Sequence, residues 1–252
     1  MKSPEHSLHT LLEYLRAIPL HAEYRKGCIQ LKQGKEKMLV KVLADGETQA
    51  DFFIPEDLLV REPLKLAALL QAKFNGNRRV FARNCALIKL NRPEANAFLD
   101  RYHLMGSTQS AANYGLSHKG ELLAVASFSK GRKMRRLPAD LRSFELIRFC
   151  CKAGYSVTGG LSKLLRHFAR EKGVGDIMTY VDAQWSEGAS FVKAGFRLAG
   201  KTEARYYLVN RKTFERRPAP EHKKPATKQE YLLRDKGNIK LIFPVWEARI
   251  AL

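Results

Sequence analysis

The chain has 252 residues, enough for one large domain or two small ones. Its composition is globular, 45% hydrophobic and 28% charged, and no apolar run reaches the length of a bilayer-spanning helix. Forty-five Lys and Arg against 25 Asp and Glu leave a net charge of +20, which points to an anionic partner: nucleic acid first, a phosphate-rich cofactor second.

The opening MKSPEHSLHTLLEYLRAI lacks a long apolar core before a small-residue cleavage site, so no secretory signal is expected. Cys28, Cys85, Cys150 and Cys151 form no C-x-x-C pair. They read as buried free thiols of a reducing compartment, so the expected location is cytoplasmic, with no membrane attachment and no metal cluster.

In chain order, Leu8, Leu11, Leu12, Leu15 and Ile18 have helical spacing, and Pro19 ends that helix. Strands follow over Gly27–Leu31 and Glu36–Leu43, with a candidate third over Asp51–Ile54, then a helix over Pro63–Phe74. Residues 1–77 are expected to form a small α+β extension without reaction chemistry. Arg78–Leu90 alternates as one strand, and Pro93 opens a helix that runs to about Tyr102 and ends at His103-Leu104-Met105-Gly106. Tyr114–His118 and Glu121–Ser129 form a hairpin. The loop after it, with Lys130, Arg132, Lys133, Arg135 and Arg136, is basic enough to hold nucleic-acid phosphate.

The centre of the sequence is a βαβ unit. Glu145–Cys151 is a strand, Lys152–Gly160 a glycine-bearing loop, and Leu161, Leu164, Leu165 and Phe168 mark one face of a helix. Lys163, Arg166, Arg170 and Lys172 mark the other face, and Asp176–Asp182 is the next strand. Backbone N–H groups at such a helix start hold a pyrophosphate, which makes Thr158, Gly159, Gly160, Ser162 and Lys163 candidates for binding a cofactor. The other reading of the glycines is a tight turn and nothing more. A helix over Gln184–Ala194, a strand to Ala199 and a strand over Arg205–Asn210 come next. The basic, proline-containing segment 211–228, with Arg211, Lys212 and Lys223, reads as a surface ordered on nucleic acid. Asn238–Trp246 is a terminal strand.

The order hairpin, strand, glycine loop, helix, strand, helix, Gly195-Phe196, strand resembles the GNAT acyltransferase fold over residues 78–210. The resemblance implies an α/β (α+β) architecture, a mixed central sheet with flanking helices, and acetyl-CoA or a related acyl-CoA as cofactor. The expected domains are then 1–77, 78–210, and a segment 211–252 packed on the second. Phe98-Leu99 with His103-Leu104-Met105-Gly106, Glu145-Leu146-Ile147-Arg148-Phe149-Cys150, Gly159-Gly160-Leu161-Ser162-Lys163 and Tyr180-Val181-Asp182-Ala183-Gln184-Trp185-Ser186 resemble a narrower, phage-associated branch. That branch is the Mom-like DNA-modifying proteins, and the likeness implies transfer of an acyl-type group to adenine N6 in phage or bacterial DNA. The chain departs from the GNAT pattern at Phe191, where a tyrosine acts as general acid, and in the phosphate motif. Two alternatives stay open: an N-acetyltransferase acting on a protein or small amine, and a non-catalytic DNA-binding module.

Adenine N6 is a weak nucleophile, so its derivatisation needs a base and an electrophile held in reach. Asp182, at a strand end, is the first candidate base, or else a helix cap, and Ser186 lies close to it in sequence. His103 reads as acid, base, iron ligand, or a histidine satisfied at a helix end. Trp185 stacks on an extruded base or belongs to the core. One of Tyr206 and Tyr207 replaces the tyrosine missing at 191. Arg148, on a buried strand, requires a carboxylate or a phosphate partner.

Overall fold

A computed structural model describes residues 3–18, 20–43, 52–74, 76–171, 173–222 and 224–246. Pro19, Asp51, Lys172 and Lys223, all given roles above, lie outside the described residues. The elements in order are α1 (Pro4–Arg16), β1 (His21–Arg25), β2 (Cys28–Gln33), β3 (Glu36–Leu43), β4 (Phe52–Pro55), α2 (Glu56–Arg61) and α3 (Pro63–Lys73). After them come β5 (Arg78–Phe81), a 3-10 turn (Ala82–Asn84), β6 (Ala86–Lys89), α4 (Arg92–Tyr102), β7 (Ala112–His118), β8 (Glu121–Phe128) and β9 (Arg142–Cys151). The remainder is β10 (Tyr155–Thr158), α5 (Gly160–Phe168), β11 (Val174–Asp182), α6 (Ala189–Lys193), β12 (Arg197–Lys201), β13 (Tyr206–Asn210), β14 (Arg216–Ala219), β15 (Glu230–Arg234) and β16 (Asn238–Pro244).

The chain divides into two compact units, each discontinuous in sequence: residues 1–76 with 203–237, and residues 77–202 with 238–252. This differs from the expected boundaries at 210 and 211. The segment 203–237 belongs with the N-terminal residues, and the strand after it returns to the larger unit.

In the first unit, Leu11 and Leu15 of α1 and Leu66 and Leu70 of α3 are buried, and Tyr14 Oη donates to Gln71 Oε1 at 3.1 Å. β1–β4 form one sheet, and β14-β13-β15 form another. Phe53, Val209, Tyr231 and Leu233 make a shared core between the N-terminal and inserted segments. The strongest tie is polar. Asp57 is fully buried, and Arg216 grips it with Nε to Oδ2 and Nη2 to Oδ1, both 2.8 Å. Arg61 adds a third contact at 3.1 Å. Such forked pairing is what a guanidinium offers a desolvated carboxylate.

The second unit holds a seven-stranded sheet in the order β12-β16-β11-β9-β8-β7-β6. It is mixed, with helices beside it, as the expected fold class requires. β11 and β9 are parallel at its centre. Their pairing runs from Val174↔Arg142 to Met178↔Glu145, and beyond it, among the described residues, only Thr179 Oγ1 still donates to Leu146 O, at 2.9 Å. β9 instead follows β8 to Cys151, with a bulge at Ile147 of β9, opposite the step from Ser127 to Phe128. Bulges bend a strand and sharpen its twist, so β9 and β11 part as a fork. The closed end is pinned by Arg136, whose Nε reaches Asp176 Oδ2 at 2.9 Å and whose Nη2 reaches Ser143 Oγ at 3.1 Å.

Helix α5 lies over this sheet by burying Leu161, Leu164, Leu165 and Phe168, the predicted face. Phe168 stacks on Phe128 at 3.9 Å with Phe144 edge-on at 5.1 Å, fixing the C-terminal end of the helix beside the amino half of β9. At the other end, a Cβ on Gly160 would meet Leu116 at 3.2 Å, and Leu116 is in register with Ala124, which pairs with Cys151. The start of α5 therefore sits level with the carboxyl end of β9, where the fork opens.

Several expected elements change. Arg78–Leu90 is not one strand: Cys85 N bonds Ala82 O at 3.1 Å, and the turn sends β5 to β10 and β6 to β7. The glycine loop contains β10. The helix over Gln184–Ala194 shrinks to α6, because Asp182 and Ser186 fold the preceding residues into turns. The expected surface segment 211–228 contains β14.

Asp57→Asn leaves Arg216 facing a neutral amide in a buried site. The expected cost is about 3–5 kcal/mol, read as a lower urea midpoint and early loss of hydrogen-exchange protection in β4, β13 and β15.

Candidate functional site

Helix α5 begins at Gly159, whose φ of 76° places it in the left-handed region, and no side chain caps the helix. The first helical bond is Lys163 N to Gly159 O at 3.0 Å. The N–H groups of Gly160, Leu161 and Ser162 lie ahead of it, carrying the positive end of the helix dipole. The two glycines differ in what they do. Gly159 is exposed and serves conformation, whereas Gly160 is buried and its added Cβ would lie 3.0 Å from Val157 Cγ1. Gly160 is a packing glycine.

Beside this turn lies a cleft of about 710 Å³ lined by Phe81, Ala82, Arg83, Leu87, Thr158, Gly159, Ser162, Lys163, Arg166, His167 and Arg170. No carboxylate lines it. Thr158, Gly159, Ser162 and Lys163 therefore come together as the sequence suggested. Lys163 Nζ donates to Ala82 O at 3.0 Å and to Cys85 O at 2.6 Å, tying the helix to the 3-10 turn. One ammonium hydrogen is left for an anion. Behind the cleft, the Tyr114 ring meets His167 edge-on at 4.9 Å, and its hydroxyl donates to Glu171. Burial, then that hydrogen bond, pushes the Tyr114 phenol well above its usual range, so it stays protonated.

The other candidates are dispersed. Asp182 ends β11 and is exposed, and its Oδ1 accepts from Gln184 N at 2.9 Å. It does not line the cleft. Ser186 Oγ accepts from Gly188 N at 3.0 Å in the same run of turns. Trp185 is only 8% exposed, so the stacking platform proposed for it is corrected: the ring is core. His103 terminates α4, and its Nδ1 accepts from Met105 N at 3.1 Å.

Arg148 finds neither the expected carboxylate bridge nor the cleft. Its Nε donates to Gly106 O at 3.1 Å and its Nη1 to Ile147 O at 3.0 Å, and burial lowers its pKa against the opposing field of Glu145. Tyr206 and Tyr207 belong to the first unit. Tyr206 Oη donates to Glu221 at 2.6 Å, while Tyr207 lies under Arg216, whose guanidinium carbon is 5.2 Å from the ring centre. The strand that completes the sheet beside β11 is β16, which the sequence reading gave only as a terminal strand.

Of the basic loop, Lys130, Arg132, Lys133 and Arg135 are exposed. Arg136 is engaged as the clamp on Asp176, which sets it apart from the other four. Arg211 lies over the Tyr231 ring at 4.8 Å, and Lys212 is exposed beside it. Phe191 packs edge-on against Phe196 at 5.6 Å, a core contact a hydroxyl would not serve. Sequence reasoning missed the cleft wall formed by Phe81 and Arg83. The signal was the break in alternation after Val80, which places the two residues at a turn. Burial raises the thiol pKa of Cys85 and of Cys151, which keeps both protonated and unreactive near neutrality. Among the described residues no cluster of His, Cys, Asp and Glu has the makings of a metal site.

No family model and no curated protein matches the chain. Solved structures similar to it include the ribosomal-protein-S18-alanine N-acetyltransferase of Escherichia coli, at 18% identity and a TM-score of 0.40 over 64% of this chain and 94% of that one. A Bacillus subtilis acetyltransferase in complex with CoA gives 13% and 0.40 over 64% and 98%. Arabidopsis thaliana Naa50 with a bisubstrate analogue gives 8% and 0.40 over 63% and 97%. Likeness at this level is one of outline, and what the site does is read from its own geometry.

Arg136→Ala separates clamp from contact. It leaves Asp176 buried and unpaired and is expected to lower stability by about 3–5 kcal/mol in denaturant unfolding. Affinity for DNA, measured on the folded fraction, stays at the wild-type level.

Proposed function

We propose that the protein is a transferase that takes an acyl-type group from a CoA-type donor and delivers it to adenine N6 in DNA. The observation that carries the reading is the parting of β9 and β11 level with the uncapped start of α5. A gap between parallel strands at their carboxyl ends, beside a helix start, is where an α/β sheet receives a phosphate-bearing ligand.

The residues present fit such a donor. The N–H groups of Gly160, Leu161 and Ser162, the Thr158 and Ser162 hydroxyls and the remaining Lys163 hydrogen all suit a pyrophosphate. The donor, when bound, supplies the activated carbonyl. The protein's share is to hold the amine against it and to accept a proton. Asp182, exposed at the carboxyl end of β11, is the acceptor in this proposal, with Gln184 N fixing one of its oxygens. With Phe191 in place of an acid, the leaving thiolate departs without a proton from that position. His103 and Ser186 remain positioning candidates, while Tyr206 and Tyr207, engaged within the first unit, drop out. The net charge of +20 and the exposed Lys130, Arg132, Lys133, Arg135, Arg211 and Lys212 support DNA as the carrier of the amine. The adenine is taken from a single strand or extruded from the duplex.

The test is mass analysis of nucleosides from DNA of cells expressing the protein. A derivatised adenine is expected with the wild type, falling about a hundredfold or more with Asp182→Ala. Unaltered DNA together with an acetylated protein or small amine would move the reading to an N-acetyltransferase. DNA binding without any product would leave a binding module.

Calorimetric titration with CoA is expected to show binding that Ser162→Glu abolishes, because a carboxylate at the helix start repels the phosphates. Retained affinity in that variant would remove the helix start from the donor site.

A further inference from the structure

The cleft beside α5 extends well past the helix start. Ser162 and Arg166, four residues apart, share one side of the helix about 6 Å apart along its axis, and Arg170 lines the same cleft from the turn just past the helix end at Phe168. From Gly160 to Phe168 the helix runs about 12 Å, and Arg170 carries the positive charge past its end, more than one pyrophosphate reaches. Arg166 and Arg170 are exposed, and among the described residues neither side chain has a hydrogen-bond or ion-pair partner. Lys163 and Arg83 add to the same field, with no carboxylate in the lining to offset it. Unopposed cations in a concave site concentrate field and anions.

Phe81 supplies the second observation. It lines this cleft yet is 49% exposed, and the Arg83 guanidinium carbon sits 4.9 Å from its ring centre. The pairing of β5 with β10 holds the backbone here, so the ring is presented by a fixed strand. A flat aromatic next to a line of cations is the arrangement that binds one nucleic-acid strand: phosphates on the cations, a base on the ring. A duplex keeps its bases stacked on one another and leaves none for the ring.

We propose that the groove between α5 and the turn after β5 holds single-stranded nucleic acid, with phosphodiesters on Arg83, Arg166 and Arg170 and a base stacked on Phe81. This rests on the proposed function only for nucleic acid as the acceptor, and it leaves the helix-start end of the same cleft, at Thr158, Ser162 and Lys163, to the donor. None of the basic residues assigned to nucleic acid from the sequence lines this groove.

The test is fluorescence anisotropy with a labelled oligothymidylate across a salt series. Arg166→Glu/Arg170→Glu is expected to weaken binding about tenfold or more and to flatten the log–log salt slope by roughly 1.4, about 0.7 per phosphate lost. Phe81→Ala is expected to weaken binding about tenfold with the slope unchanged. The charge-matched control Lys32→Glu/Lys37→Glu, on exposed positions of β2 and β3, stays near wild type. All the substituted groove side chains are exposed, and circular dichroism checks that each variant is folded. An unchanged slope in the arginine variant overturns the proposal. So does a control that loses as much, a polyglutamate that displaces the oligonucleotide as well as unlabelled strand does, or CoA affinity that falls with Phe81→Ala while oligonucleotide affinity holds. Confirmed slopes with unaltered cellular adenine would sink the proposed reaction and leave the groove standing.

Discussion

The larger unit is built around two parallel strands that start together and then separate. β9 and β11 share hydrogen bonds only near their amino ends, with Thr179 reaching Leu146 as the last tie. Backbone groups that stop pairing inside a sheet must find other partners or face solvent. β9 solves this by staying with β8 through a bulge, and β11 by pairing with β16 along its whole length. The fork is therefore a stable feature of the sheet. Its closed end is held by Arg136 across Asp176 and Ser143, and its open end faces the start of α5.

The helix is equally constrained. The Phe128–Phe168 stack anchors one end, and Gly160 allows the other to sit against Val157 and Leu116 where any side chain would crowd. Lys163, bonded to two carbonyls of the 3-10 turn, joins helix and turn into one wall. Anchoring leaves the polar face of α5 no freedom to turn away, so Arg166 stays on the cleft, with Arg170 just past the helix end. Not all of the positive charge works this way. Arg136 and Arg216 hold buried carboxylates together, and Arg148 serves backbone carbonyls. A count of Lys and Arg predicts the sign of a partner, but only the pairing of each residue says which of them are available.

Much of the central βαβ unit was legible because it is local. The apolar face of α5, the end of β11 at Asp182 and the placing of Thr158, Gly159, Ser162 and Lys163 at one turn all follow from spacing within a few residues. What was not legible depends on long-range pairing. β16 reads as a terminal strand, and nothing local says that it inserts between β11 and β12. For the same reason Tyr206 and Tyr207 were assigned to the sheet of the fork when their strand pairs with β14 and β15. Arg136 in a run of exposed cations looked like its neighbours, and only the partner Asp176, 40 residues away, distinguishes it. Trp185 illustrates the limit for aromatics, since a ring suited to a base is equally suited to a core.

The interleaving of the two units bears on the order in which the chain acquires structure. β12 and β16 are neighbours, and Thr202 and Asn238 bond to each other where the chain departs and comes back. Between them runs the segment whose Arg216 closes on Asp57, 159 positions earlier. During synthesis the helices and sheet of residues 4–73 emerge with a buried acid still lacking its partner, and the seven-stranded sheet waits for β16, an interior strand that follows all its other strands in sequence. Neither unit can close before these later segments are made, so until then the nascent chain carries open edges and an unmatched charge, a period in which shielding by chaperones would count most.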